Sequence, residues 1–138
     1  MRNRLVILGG GESGVGAAYL AFRNGIDVFL SEKKIIKSKH REILVQNNID
    51  FEEGFHSADL ILQAKEVIKS PGIPNNVDII KEINKRKIPV ISEIEFAFRF
   101  TNAKIIAVTG SNGKTTTTCL IYEILKFANL NVGVAGNI

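Results

Sequence analysis

The sequence predicts a parallel α/β fold, and three observations predict it. Short β-branched runs alternate with amphipathic helical stretches along all 138 residues, the pattern of strands joined by helical crossovers that are right-handed by default. Two of those strands run straight into glycine-rich turns that open helices. The composition, 45% apolar and 23% charged, is that of an ordinary globular chain and excludes a disordered or collagen-like one.

The elements follow in order. Leu5-Val6-Ile7-Leu8 is uninterruptedly apolar, as a strand buried on both faces requires. A helix over about 13–24 carries Val15, Ala18 and Phe22 on one face and stops at Asn24-Gly25. Asp27-Val28-Phe29-Leu30 is the second strand, 38–48 the second helix, and Ile49-Asp50-Phe51 a short third strand. Lys65-Glu66-Val67-Ile68-Lys69 is a fourth, ended by the rigid turn Ser70-Pro71-Gly72-Ile73-Pro74. Asn76 is placed to cap a helix bearing Ile79, Ile80 and Ile83. Ile88-Pro89-Val90-Ile91 is a strand with its proline near the start, where a missing donor is tolerated. Ser92 and Glu95 form a capping box for a helix bearing Ile94, Ala97 and Phe98.

Near residue 100 the pattern restarts. A strand over 104–109 leads into a glycine turn and a helix from Lys114, with Leu120, Ile121, Ile124, Leu125 and Ala128 on one face. A further strand begins at Asn131-Val132-Gly133-Val134. The expected domains are 1–100, complete, and 101–138, the opening strand-helix-strand unit of a second. One such unit is too little to cover both faces of a sheet, so the chain is expected to be the N-terminal part of a longer protein.

Charge and composition narrow the function classes. Eighteen Lys+Arg against 14 Asp+Glu leave a net charge of +4, too diffuse for a nucleic-acid module with its concentrated basic face. No apolar run approaches the ~18 residues of a membrane span, and Leu5-Val6-Ile7-Leu8 is too short for a signal-peptide core. A single cysteine, Cys119, excludes an internal disulfide and fits a reducing cytoplasm. It is expected to be packing inside its helix. His40 and His56 have no ligand cluster around them in sequence and are expected at the surface or satisfied. Lys33, Lys34, Lys37, Lys39 and Arg41 read as a solvated helix start, with a phosphate-attracting rim as the alternative.

Two motifs carry chemistry. Gly9-Gly10-Gly11-Glu12-Ser13-Gly14 fits G-x-G-x-x-G between a strand and a helix, where glycines allow close backbone approach and the helix N-terminus offers free N–H groups to an anion. Glu32 stands 18 residues beyond Gly14, at the end of the second strand, where Rossmann-like folds bond a ribose hydroxyl. The pattern does not say which nucleotide, and NAD or FAD is open at this point. Thr109-Gly110-Ser111-Asn112-Gly113-Lys114-Thr115-Thr116 ends in the Gly-Lys-Thr of a P-loop, with a shortened spacing. Its amides would cradle phosphates, Lys114 would reach the β/γ oxygens, and the Thr115 hydroxyl would ligate Mg²⁺. Two phosphate signals on consecutive α/β units suggest an enzyme bringing ATP to a nucleotide-linked substrate.

These motifs resemble the Mur ligases, the amide-forming enzymes of peptidoglycan assembly. The shortened glycine loop is similar to that family's ATP signature. The first glycine motif, Ser70-Pro71-Gly72-Ile73-Pro74, Ser92-Glu93-Ile94-Glu95 and Val132-Gly133-Val134-Ala135-Gly136-Asn137-Ile138 resemble its D-glutamate-adding branch, in the same order along the chain. The resemblance implies a Rossmann-like domain for a uridine nucleotide, then a P-loop ATPase domain, then a third domain. It implies a cytoplasmic, monomeric enzyme with ATP and Mg²⁺ as cofactors and UDP-N-acetylmuramoyl-L-alanine and D-glutamate as partners. It makes Gly11 a substrate-binding residue and places Glu12 and Ser13 at the uracil side, opposite Glu32, Lys33 and Lys34. Ser70, Pro71, Gly72 and Asn137 would face the diphosphate-sugar. Gly110, Ser111, Asn112, Gly113, Lys114, Thr115, Thr116 and Thr117 would hold ATP, with Lys114 catalytic and Thr115 the metal ligand. The family usually has Asp where Glu32 stands, one methylene shorter. The remaining ligands of the ATP site would lie beyond Ile138, so the chain by itself is expected not to ligate. Two other readings remain: an NAD- or FAD-binding oxidoreductase module, which would leave Lys114 idle, and a non-catalytic sensor of uridine nucleotides.

Overall fold

In the computed structural model, which describes residues 4–136, five strands form one all-parallel sheet. They are β1 (Leu5–Leu8), β2 (Val28–Glu32), β3 (Asp50–Glu53), β4 (Glu66–Lys69) and β5 (Val90–Ile91), in the spatial order β3-β2-β1-β4-β5. The helices are α1 (Glu12–Arg23), α2 (Ser38–Gln46), α3 (Ala58–Ile61), α4 (Asp78–Lys85), α5 (Glu93–Phe98) and α6 (Lys114–Phe127).

The period-two alternation of a strand divides the core into two layers. Leu5, Ile7, Val28, Leu30 and Ile68 face α1, α2 and α5, where Val15, Ala18, Leu44 and Phe96 complete one cluster. Val6, Leu8, Phe29 and Val67 face the other way and pack on Ile61 of α3 and Ile80 and Ile83 of α4. Burial on both faces explains why β1 is apolar throughout. The chain winds outward from β1 to β3, then returns past β1 to β4. The strand order therefore reverses between β1 and β4, the place where open α/β sheets bind ligands beyond their carboxyl ends. At the opposite end, Arg4 ties the strand starts together by pairing with Asp27 at 2.7 Å and with Asp50.

Several expectations about faces and caps are corrected. Phe22 is 41% exposed, because small residues, Gly14, Ala17, Ala18 and Ala21, form the side of α1 that lies on the sheet. Asn76 does not cap α4; Val77 occupies that position, without a side-chain bond. The capping bond of α5 is present, Glu95 N donating to Ser92 Oγ at 3.1 Å. Its buried face, however, is Glu93 and Phe96, while Ile94, Ala97 and Phe98 are exposed. The sequence reading does not include α3, a single turn too short to leave a periodic signal.

The chain forms two compact units, a first ending at Asn102 and a second beginning at Ala103. Within the second unit α6 forms as expected, but 104–109 and 131–134 are not strands. Among the described residues neither gains the ladder partner that makes a strand, and Ile105 and Ile106 remain 59% and 61% exposed. Both segments lie against α6, whose half-buried side is Thr118, Ile121, Tyr122 and Leu125. Leu120, Ile124 and Ala128, expected on the packed face, are exposed, and so is Cys119.

Candidate functional site

A cleft of about 900 Å³ opens where the strand order reverses, beyond the carboxyl ends of β1, β2 and β4. It brings together Gly11, Ser13, Glu32, Lys33, Ser70, Pro71 and Gly72 of the sequence-predicted set, together with Lys34. Its walls are shaped by glycines with different jobs. A Cβ on Gly14 would stand 2.0 Å from the Gly9 carbonyl oxygen, and one on Gly9 would stand 2.5 Å from Ser70 Oγ, so both positions are closed by the fold. Gly9 also holds φ at +118°, which side-chain-bearing residues avoid. A Cβ on Gly11 or Gly72 would meet nothing within 4 Å, and these two leave open wall for a ligand to approach.

Hydrogen bonds fix the first loop. Gly10 N donates to Glu32 Oε2 at 2.6 Å and Lys34 N to Glu32 Oε1 at 2.8 Å, so the carboxylate clamps the glycine loop to the segment after β2. Glu93, at the start of α5 and only 8% exposed, accepts from Ser13 Oγ at 3.1 Å and from Ser70 Oγ. One buried carboxylate thus orients two cleft hydroxyls, one from the first turn of α1 and one from the turn after β4. Glu93 is absent from the sequence-predicted site; its only signal is its place in Ser92-Glu93-Ile94-Glu95. On the far wall, Ser31 Oγ sits 2.6 Å from Glu52 Oε1 and 2.6 Å from His56 Nδ1, while Ser57 N donates to Glu52 Oε1 at 2.7 Å. Phe55 and His56 line the cleft there, and no motif in the sequence marks them. Burial pushes the His56 imidazole below its ordinary value, with Lys33 acting the same way against Glu52 and Glu32.

Other expected positions fall elsewhere. Glu12 does not line this cleft; the helical turn carries it to a groove between α1 and α2, beside Tyr19, Lys39 and His40. His40 is 7% exposed, and neither ring nitrogen has a partner among the described residues, which corrects the expectation of a surface or satisfied histidine. Asn137 lies outside the described residues.

In the second unit, Gly110 (φ +147°) and Gly113 (φ +74°) bend the loop before α6 into conformations that favour glycine. Lys114 Nζ folds back onto its own loop, donating to Gly110 O at 2.6 Å and Ser111 O at 3.1 Å. Thr117 N reaches Gly113 O at 2.9 Å, and the helix start has no side-chain cap. The amides of Lys114, Thr115 and Thr116 thus have no intrahelical acceptor. Exposed amides, a lysine and the Thr115, Thr116 and Thr117 hydroxyls are a donor set that fits a phosphate chain. Among the described residues no group of three or more His, Cys, Asp or Glu is arranged for a metal.

The family model described as the MurD N-terminal domain matches residues 4–79, more than half of the chain. The chain belongs to this family of Mur ligases. The Mur ligase middle domain matches residues 108–138. A UDP-N-acetylmuramoylalanine–D-glutamate ligase of Bacteroides thetaiotaomicron is 58% identical over 98% of the chain, and one of Bacillus velezensis is 40% identical over 99%. The chain spans about 30% of the length of these curated relatives. Among solved structures, a UDP-N-acetylmuramate–alanine ligase of Thermotoga maritima aligns over 91% of this chain and 30% of its own, with TM-score 0.62 and 27% identity. A pseudomurein peptide ligase of Methanothermus fervidus aligns over 99% of this chain and 29% of its own, with TM-score 0.60 and 30% identity. Family membership agrees with the Rossmann-like sheet. Among the described residues no helix is long and apolar enough to cross a membrane.

Proposed function

We propose that the protein containing this chain adds D-glutamate to UDP-N-acetylmuramoyl-L-alanine at the expense of ATP, in the cytoplasmic synthesis of peptidoglycan precursors for wall growth and division. The observation that carries the reading is the switch-point cleft, which gathers seven expected substrate residues in a chain of this family. The relatives' names support the reaction, and they lend no support to a dinucleotide oxidoreductase or a non-catalytic sensor.

The first unit, assigned as residues 1–100, would hold the uridine substrate. Ser70, whose proton goes to Glu93, would accept from hydroxyls of its sugar, with Gly11, Pro71 and Gly72 allowing close approach, and Ser13 would line the uracil side. Glu32, Lys33 and Lys34 would meet the nucleoside, and Asn137 would add a further sugar contact. The unit assigned as 101–138 would hold ATP on the amides from Gly110 to Thr117. Mg²⁺ bound at the Thr115 hydroxyl would supply charge neutralisation at the phosphates. The substrate carboxylate takes the γ-phosphoryl group, and the amine of D-glutamate then displaces phosphate from the acyl phosphate. Lys114 would release its loop carbonyls and swing to the phosphoryl oxygens, stabilising charge that develops in transfer. The enzyme is assigned as a monomer.

The test is phosphate release by the longer protein. Release should require ATP, the uridine substrate and D-glutamate together, and the 138-residue chain alone should give none. Lys114→Ala is expected to slow turnover roughly 10²–10³-fold, the usual loss for one preorganised electrostatic donor. Thr115→Val, which keeps the shape and removes the hydroxyl, should also slow it. Near-normal rates in both variants would reduce the loop to a structural turn.

A further inference from the structure

The far wall of the cleft contains a hydrogen-bond network whose proton count has one solution. Ser31 is fully buried, and its hydroxyl has a single proton to give. It lies within bonding distance of Glu52 Oε1, which also accepts from Ser57 N. An ionised carboxylate only accepts, so the Ser31 proton goes to Glu52. The 2.6 Å contact between Ser31 Oγ and His56 Nδ1 must then be made by a proton on Nδ1. Burial keeps the ring neutral near pH 7, against Glu52 and Glu32 and with the help of Lys33. Nε2 is left as a bare lone pair. It has no partner among the described residues and is not among their buried, unsatisfied atoms, and the ring lines the cleft next to Phe55.

We propose that His56 reads the base of the bound nucleotide by accepting an N–H from it at Nε2, which selects an imide base such as uracil over cytosine. This rests on the uridine-nucleotide reading above and adds a specificity-determining residue to it. The Watson–Crick edge of uracil runs acceptor, donor, acceptor. His56, Lys33 and Lys34 all line the cleft: the bare Nε2 of His56 would meet the central N–H, and the ammonium groups of Lys33 and Lys34 would serve the flanking carbonyls. Cytosine carries a lone pair at its central nitrogen, which would face the Nε2 lone pair with no proton between them. Phe55, 58% exposed, supplies an apolar surface beside the base.

The experiment titrates the chain calorimetrically with UDP and with CDP, and records imidazole ¹⁵N shifts of the histidine-labelled chain at pH 7.5. The unsubstituted chain should bind UDP more tightly, by roughly 5–150-fold, the range set by one unpaired polar group. His56→Phe should lose that margin on UDP while CDP binding stays put. His56→Gln, whose amide oxygen accepts, should recover part of it. The nitrogen shifts should report a neutral ring with the proton on Nδ1, a result that needs no variant to fold. Equal losses for both nucleotides, undiminished UDP binding by His56→Phe, or a proton on Nε2 would overturn this inference and leave the ligase reading standing. Failure of the folded, unsubstituted chain to bind UDP would overturn the uridine reading and this inference with it.

Discussion

Gly14 and Gly11 belong to the same motif yet carry opposite constraints. The Gly9 carbonyl leaves no space for a Cβ at Gly14, whereas Gly11 borders open cleft. Gly14→Ala is expected to destabilise the chain by about 1–3 kcal/mol or more, the cost of forcing atoms into a filled site. Gly11→Ala should change stability by no more than about 1 kcal/mol and weaken ligand binding instead. Urea midpoints and a binding titration on the same two variants separate the effects. A second prediction concerns acid. The folded chain holds His56 below its unfolded value of about 6.5, so below that pH the unfolded chain takes up the extra proton. The His56 contribution to stability is therefore intact above about 6.5 and lost as pH falls toward the lowered value. His56→Gln should flatten the decline in urea midpoint between about pH 7.5 and 5; an unchanged decline would contradict it. Neither His56 nor Glu93 was legible in the sequence as a site residue. Each acts through partners from other strands and loops, Ser31 and Glu52 for one, Ser13 and Ser70 for the other, and a linear motif records no such meeting.

At the scale of elements, existence was easier to read than orientation. The strands β1, β2, β4 and the helices α1 and α6 announce themselves by apolar runs and period. The face of α5 does not, because Ile94, Phe96 and Phe98 are all apolar over six residues and only the sheet decides which is buried. Phe96 is 2% exposed and stacks edge-on with Phe100 at 5.1 Å, while Phe98 is 57% exposed. Phe96→Ala should thus cost about 3–5 kcal/mol and Phe98→Ala within about 0.5 kcal/mol, as measured by urea unfolding. Comparable costs would mean that the helix face is wrongly placed. The segments flanking α6 teach the converse lesson. Lys104 to Thr109 has the composition of a strand, but a strand is a pairing, and among the described residues the pairing is missing.

For the whole molecule, the parallel α/β class is legible in the sequence, whereas the strand order and the cleft that it creates come from the structure. Parallel strands linked by helices leave one reversal of strand order, and both the glycine loop after β1 and the Ser-Pro-Gly turn after β4 end at it. What the sequence cannot do is choose among nucleotides, since Glu32 and a glycine loop suit any ribose and diphosphate. On the proposed reading, discrimination comes from the turn at Ser70 to Gly72 and from the far wall, where Phe55 and His56 line the cleft. The central claim is therefore that this cleft is built for a uridine-linked sugar. Calorimetric titration of the chain with UDP-N-acetylmuramoyl-L-alanine and, separately, with NAD tests it most directly. The account predicts tighter binding of the uridine substrate, with the margin narrowed by Ser70→Ala. Tighter binding of NAD would contradict it.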